Sequence, residues 1–423
     1  MLLQFSVENF RSIKNKAVLS LEASRDNEHP DHVAVLGDNR ILRTISLFGA
    51  NAAGKSNVFS ALTAAIRLIR YSNNLQMNQP IPMIVPFRFS HETQEKPSSF
   101  EFVFVEKGKK HVYGFSATYQ QIVREYLYVY NTARASTIFE RDVANEQEYH
   151  FTNARIRKEL EPIIVRNTKN KLFLSTATLW NARSTEDSFL WFSKIDTYPN
   201  NFEALIPKDV PMLEDDTGHE LKKFIIDILK ESDISISDYI FSSKETPIQK
   251  GADKFPEGPQ GMVPRQILKE FTIETRHRVI CEDNKTEEFT LDLHDESKGT
   301  QNLFMLSPVL YEAFKQGKVI CVDEFDASLH PLLVTYLVGL FNNPRINTGN
   351  AQLIISVHST ILLSHRISRD DEIYFVEKER DTGASEVYSL DEFSPRKQLN
   401  VRKAYLLGRF GAVPEIGDGE ILW

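Results

Sequence analysis

Two cysteines in 423 residues, Cys281 and Cys321, give no disulfide framework and no metal-ligand spacing, so a reducing, cytoplasmic compartment is expected. No apolar run approaches the eighteen or so residues that a membrane helix needs. The opening MLLQFSVENFRSIKNK alternates apolar and polar residues and lacks an apolar h-region, so no signal peptide is expected. Internal repeats and sustained heptads are missing, which excludes a long coiled coil. Excess positive charge is missing too: a net charge of −8 argues against a wholesale nucleic-acid coat, although local basic patches remain open.

What is present is ordinary for a folded protein: 41% apolar and 26% charged residues, with 28 Phe to fill cores. The length allows two or three domains. The first 50 residues read as strands, with Leu3, Phe5 and Val7 alternating, AVLSLEA pairing back, and RTISLF as a short apolar strand. The period then changes to 3.6, Val58, Phe59, Leu62, Ala65, Ile66 and Ile69 sharing one helical face. Alternation returns from Ser99 to Tyr130, turning at Lys107-Gly108-Lys109. Residues 131–270 read as a mostly helical inserted lobe, with LKKFIIDILKES its clearest amphipathic piece and an exposed Pro/Gly-rich loop over 246–265. Strands follow around 270–293, then KVICVDEF, a helix after Pro331, the strand QLIISVH and a hairpin turning at Asp381-Thr382-Gly383. The expected parts are therefore 1–130, 131–270 and 271–423.

Chemistry enters at residues 49–56, GANAAGKS, which fits G-x-x-x-x-G-K-[ST] between an apolar strand and an amphipathic helix. Gly49 and Gly54 let the backbone turn tightly and aim its N–H groups inward, making an anion site with the helix N-terminus. The nucleotide-binding stretch is Gly49, Asn51, Ala52, Ala53, Gly54, Lys55, Ser56 and Asn57, with Lys55 expected on the β- and γ-phosphates of ATP and Ser56 on Mg²⁺. KVICVDEF ends in two acids: Asp323 is placed to hold the Mg²⁺, Glu324 to polarise the attacking water. ISVHS closes the next strand with His358, whose imidazole could donate to a γ-phosphate, though a histidine at a strand end is commonly structural.

The order of P-loop, long insertion, polar glycine turn ESKGTQ, acidic strand, DASLH and strand ending in His resembles the ABC-type ATPase heads of the SMC, RecF and overcoming-lysogenization-defect families. That resemblance implies an α/β fold with a P-loop parallel core sheet, an antiparallel N-terminal sheet and an inserted helical lobe. It implies that Ser297, Gly299 and Thr300 form a signature turn that binds the γ-phosphate held by another copy, so that ATP joins a homodimer or a higher even-numbered oligomer. Lys298 stands where transporters usually have glycine, as in the RecF-like branch. The glutamine loop of such heads has no glutamine in its expected region, NKLFLSTATLWN, where Asn181 is the candidate substitute. No Toprim nuclease domain is expected after Glu324.

Six stretches, FSVENFRSIKNK, SLFGANAAGKSN, ESKGTQNLF, VDEFDASLHPLL, EIYFVEKERDTGASEVYSL and AYLLGRFGAVP, resemble the stand-alone bacterial ATPases of the AbiL/RloA type. That family implies a separate effector, a nuclease or toxin, and a role in phage defence. Two rivals stay open, a RecF-like ATPase acting on DNA and an ATP-bound scaffold that sequesters a toxin. Basic clusters at Arg155, Arg157, Lys158, Arg166, Lys169 and Lys171, and at Arg396, Lys397, Arg402, Lys403 and Arg409, could contact DNA or RNA, could face an acidic protein, or could be solvated helix faces. The tail YLLGRFGAVP reads as a docking segment for the chain's own core or for a partner.

Overall fold

The structure is a computed structural model that describes all residues except 133, 199–211, 214–218, 248–266, 282–284 and 415–423. It divides into two compact units, Met1–Asn200 with Ala313–Trp423, and Asn201–Glu312. In chain order the strands are β1 (Leu2–Glu8), β2 (Ala17–Ser20), β3 (Val33–Leu36), β4 (Asn39–Leu42), β5 (Thr44–Phe48), β6 (Ser98–Glu106), β7 (Lys109–Ala117), β8 (Ile122–Tyr130), β9 (Ala135–Asp142), β10 (Tyr149–His150), β11 (Ile195–Tyr198), β12 (Ile236–Pro247), β13 (Ile267–Ile280), β14 (Thr286–Asp292), β15 (Val319–Val322), β16 (Gln352–Ser356), β17 (Ile373–Lys378) and β18 (Ser385–Ser389).

The first unit holds two large sheets. One is antiparallel, in the order β10-β9-β8-β7-β6-β1-β2. Its inward face alternates as the sequence does: Phe100, Phe102 and Phe104 of β6 are buried, and Phe104 stacks on Trp191 with ring centroids 3.8 Å apart. The other runs β11-β15-β16-β5-β17-β18 and is parallel except for its last pair. Its central strands are buried on both faces, as parallel strands covered by helices must be. Register fixes where their ends meet, since Val322 pairs with Ile355 and Ser356 with Leu47. The loops that follow β5, β15 and β16 therefore leave the sheet side by side, and the candidate site forms there. Behind them α1 (Lys55–Tyr71) buries Val58, Phe59, Leu62, Ala65, Ile66 and Ile69, the predicted face, and the one-turn α2 (His91–Gln94) precedes β6.

The lobe expected over 131–270 is redrawn. Residues 131–198 belong to the first unit: β9 and β10 extend the antiparallel sheet, and α3 (Ala154–Leu160), α4 (Phe173–Leu179) and α5 (Arg183–Phe192) pack beside it. The anchor is Glu125 of β8. This buried carboxylate accepts from the α4 backbone at Phe173 (2.6 Å) and Leu174 (2.9 Å) and from the Tyr113 hydroxyl (3.0 Å). It serves the donors that open α4, while burial pushes its pKa up.

Among its described residues the second unit is not mostly helical. It carries an antiparallel sheet, β12-β13-β14, with the amphipathic helix Glu220–Glu231 and most of the helix Lys298–Gln316. Tyr239 of β12 meets Phe304 edge-on at 5.0 Å. The Pro/Gly-rich stretch 246–265 lies, from 248 onward, outside the described residues.

The tail docks on its own unit. Tyr405, in the helix Val401–Leu406, and Phe410 both stack on Phe375 of β17, at 5.4 and 5.6 Å, and the Tyr388 hydroxyl donates to the Phe410 carbonyl at 2.8 Å. Both cysteines are free thiols, and no helix of the described residues is long and apolar enough to cross a membrane.

Candidate functional site

The turn after β5 is held in a conformation that few residues can adopt. Gly54 sits at φ 115°, and a Cβ there would lie 2.1 Å from Ser385 Oγ and 2.9 Å from Ser12 Oγ. A Cβ on Gly49 would meet the Val376 carbonyl at 2.3 Å. Ala52 is also left-handed, at φ 63°. The loop is thus a cradle with no space behind it. Its back wall is a clip of polar side chains that the sequence does not single out. Ser385 Oγ donates to the Ala53 carbonyl (2.6 Å) and lies 2.8 Å from Ser12 Oγ, which accepts from Asn57 Nδ2 at 2.7 Å. A main-chain bond from Ser385 N to Ser12 O, 2.7 Å, closes it.

Lys55 is buried, its ammonium turned back into the loop onto the carbonyls of Gly49 (2.6 Å) and Ala50 (3.3 Å). Burial depresses its pKa, and the carboxylates of Asp323, Glu324 and Asp326 oppose that effect. The first turn of α1 contains no acid, so its positive end is left for an anion.

The acidic strand end meets this loop. Asp323 is buried and accepts from Ser356 Oγ at 2.5 Å, while the same oxygen accepts from Glu324 N at 2.7 Å. Ser356, fully buried at the end of β16, therefore fixes both acids at once. Glu324 adopts φ 52°, a left-handed conformation that costs a non-glycine residue energy and that recurs at functional positions. Its carboxylate lies 4.0 Å from His358 Nε2. Asp326 in turn accepts from the backbone N–H groups of His358 (2.8 Å) and Ser359 (2.6 Å), tying the two loops together.

Asn51, Ala52, Gly54, Lys55, Ser56, Asn57, Glu324 and His358 line one cavity of about 640 Å³. Ser56 also lines an adjoining cavity of about 520 Å³ that includes Asp323, Arg11 and the apolar Phe10, Phe59 and Met83. The sequence-predicted residues of the first unit thus converge.

A family profile described as "AAA domain, putative AbiEii toxin, Type IV TA system" matches residues 45–364, a span running from β5 through the P-loop and the acidic strand to beyond His358. The chain belongs to this family. Membership makes it a P-loop ATPase by descent. Comparison with curated proteins gives no match. Among solved structures the chain is similar to the SMC head domain from Thermotoga maritima, at 11% identity and a TM-score of 0.40 over 92% of this chain and 98% of that one. It is similar also to an SMC head bound to the C-terminal winged-helix domain of ScpA, at 13% identity and 0.39 over 92% and 97%. An SMC head with an extended coiled coil, bound to the C-terminal domain of ScpA derived from Pyrococcus furiosus, gives 13% and 0.39 over 97% and 98%.

The turn at 297–300 belongs to the second unit. There Ser297 caps the helix Lys298–Gln316: its Oγ accepts from Thr300 N at 3.2 Å and lies 2.8 Å from Thr300 Oγ1. Gly299 follows in the first turn. Asn181 is not a candidate for the metal-coupling loop. It follows α4, whose Ser175 and Thr176 bond to Ile69 O and Asn73 Oδ1, at the end of α1 opposite Lys55 and Ser56. The strand that flanks the acidic one is β11, paired with β15 through Tyr198 and Val322.

Proposed function

We propose that this chain binds and hydrolyses ATP with Mg²⁺ as an ABC-type ATPase, that ATP closes two copies through reciprocal contacts of the Ser297–Thr300 turn, and that closure regulates a separate effector, a nuclease or toxin, in antiviral defence in the cytoplasm. The observation that carries the ATPase part is the convergence of Lys55, Glu324 and His358 with the glycine loop on one cavity of about 640 Å³.

The donor set suits the ligand. Among the described residues no cluster of three metal-ligating side chains exists. Mg²⁺ is characteristically held by one or two protein oxygens plus substrate phosphates, which Ser56 and Asp323 can supply. Ser56 and Asp323 would hold the ion, whose chemistry there would be to offset phosphate charge. Lys55 would leave its own loop's carbonyls for phosphate oxygens, exchanging neutral acceptors for charged ones. Glu324, held by Ser356, would orient the attacking water, and His358, 4.0 Å from it, would donate to the γ-phosphate. Ser297, Gly299 and Thr300 would meet the phosphate of the other copy, the helix opening at Lys298 adding its positive end. The role of an effector rests on resemblance to the AbiL/RloA type, and the family's description names a toxin system.

Glu324→Gln keeps the side chain's shape and removes its charge. With ATP and Mg²⁺ it is expected to accumulate as a dimer or higher even assembly by native mass spectrometry, and adding Ser297→Arg is expected to return it to monomer. A Glu324→Gln protein that binds ATP yet stays monomeric defeats the shared-site reading. A stoichiometric second polypeptide on protein purified from its own host supports the effector role.

A further inference from the structure

One basic region of the first unit is not absorbed by the ATP site. From Ser394 to Pro414 the sequence contains no acid, although the chain as a whole carries −8. Part of this stretch, 397–402, forms one wall of a cavity of about 560 Å³, and residues 361–367 form the other. The two walls are tied by His365, whose Nδ1 lies 3.0 Å from the Lys397 carbonyl while Nε2 bonds to Asp370 at 2.9 Å. The gap between them is thus set by hydrogen bonds rather than by loose side chains.

Arg366 stands on one wall and Arg402 on the other, both exposed, and among the described residues neither pairs with a carboxylate. Lys397 differs: Glu28 already holds its ammonium at 2.6 Å. The floor is apolar, with Leu363 and Val401 buried. Arg396, Lys403 and Arg409 continue the positive charge along the same segment.

We propose that this cavity binds the phosphodiester backbone of a nucleic acid, Arg366 and Arg402 each taking one phosphate from opposite walls. Guanidinium forks match phosphate geometry better than ammonium groups do. Positive charge that extends beyond the cavity along one acid-free segment suits a repeating polyanion more than a single compact anion. The apolar floor accepts a sugar or base face. The site is separate from the ATP cavity and stands whatever the ATP is used for.

The test is fluorescence anisotropy of labelled single-stranded and duplex DNA with the full chain, between 50 and 200 mM salt and without nucleotide. Wild type is expected to bind at least one probe, the stronger one naming the strand form. Arg366→Ala/Arg402→Ala is expected to lower the slope of log K against log salt by about 2 and to weaken binding at 50 mM roughly tenfold per arginine. Binding of a fluorescent ATP analogue by the same variant should be unchanged, which shows that it is folded. Arg155→Ala/Arg157→Ala, in the other basic cluster, should leave DNA binding as it was. The proposal is overturned if neither probe binds, if the slope survives loss of both arginines, or if the second pair abolishes binding instead. It is overturned also if polyglutamate binds through Arg366 and Arg402 while DNA does not, which would assign the cavity to an acidic protein.

Discussion

Replacing Ser356 by alanine tests whether one buried hydroxyl organises the acids at the end of β15. In the native arrangement Ser356 Oγ donates to Asp323 at 2.5 Å and accepts from Glu324 N at 2.7 Å, in a position with no solvent exposure. A hydrogen bond to a charged group contributes about 1.5–3 kcal/mol, and a buried N–H left without a partner costs about 1–3 kcal/mol. Allowing for overlap between these terms, we expect a loss of about 3 kcal/mol, seen as a fall in Tm of roughly 3–5 °C in a chain of this size. Turnover should fall further than stability implies, because a shift of about 1 Å in a catalytic group can cost on the order of a hundredfold. Nucleotide binding without Mg²⁺ should hold, since the Lys55 loop is untouched, while the Mg²⁺ concentration giving half-maximal turnover rises. Ser356→Thr, which keeps the hydroxyl, should retain more activity than Ser356→Ala. Thermal melts, ATP-analogue titrations and Mg²⁺-dependent phosphate release measure these effects. Normal turnover and Mg²⁺ dependence in Ser356→Ala would refute the positioning role.

Gly54→Ala places a methyl 2.1 Å from Ser385 Oγ at φ 115°, so calorimetry should show loss of ATP binding together with destabilisation of about 1–3 kcal/mol. Lys55→Met should also abolish ATP binding, yet raise the Tm of the nucleotide-free protein, because it removes a buried cation. The sign follows from the depressed pKa: the folded state holds this proton less tightly than the unfolded chain. The lysine's unfavourable contribution therefore fades as pH rises through its lowered folded value towards the ordinary 10.5, and the Tm advantage of Lys55→Met should shrink over that range in melts at increasing pH. Phe410→Ala should cost about 3–5 kcal/mol in denaturant unfolding, since this buried ring stacks on Phe375.

Much of the parallel sheet and its site was legible because the motifs state backbone geometry. GANAAGKS demands glycines at its turn, KVICVDEF demands a strand buried on both faces, and their order places both strand ends together. What could not be read was pairing between distant single residues. Ser12, Ser356 and Ser385 are unremarkable in sequence, and only the fold brings Ser12 and Ser385 together across 373 positions. Asn181 was misassigned because a helical pattern gives period but not which end of α1 it faces. The helical lobe was drawn too early because β9 is rich in polar residues and β10 is only two residues long, and β9 pairs with a strand already read as finished at Tyr130.

The clip behind the P-loop bears on how the protein is made. Ala53 leaves the ribosome 332 residues before Ser385, the side chain that supports it. At about 5–20 residues per second that is roughly twenty seconds to a minute of synthesis. During this interval the loop has its glycines and lysine but lacks its back wall, since β18 has yet to pair with β17. A chain that stops short of Ser385 should therefore be unable to grip nucleotide, and competence arrives only with β18. Synthesis of β18 is itself the first gate on the activity.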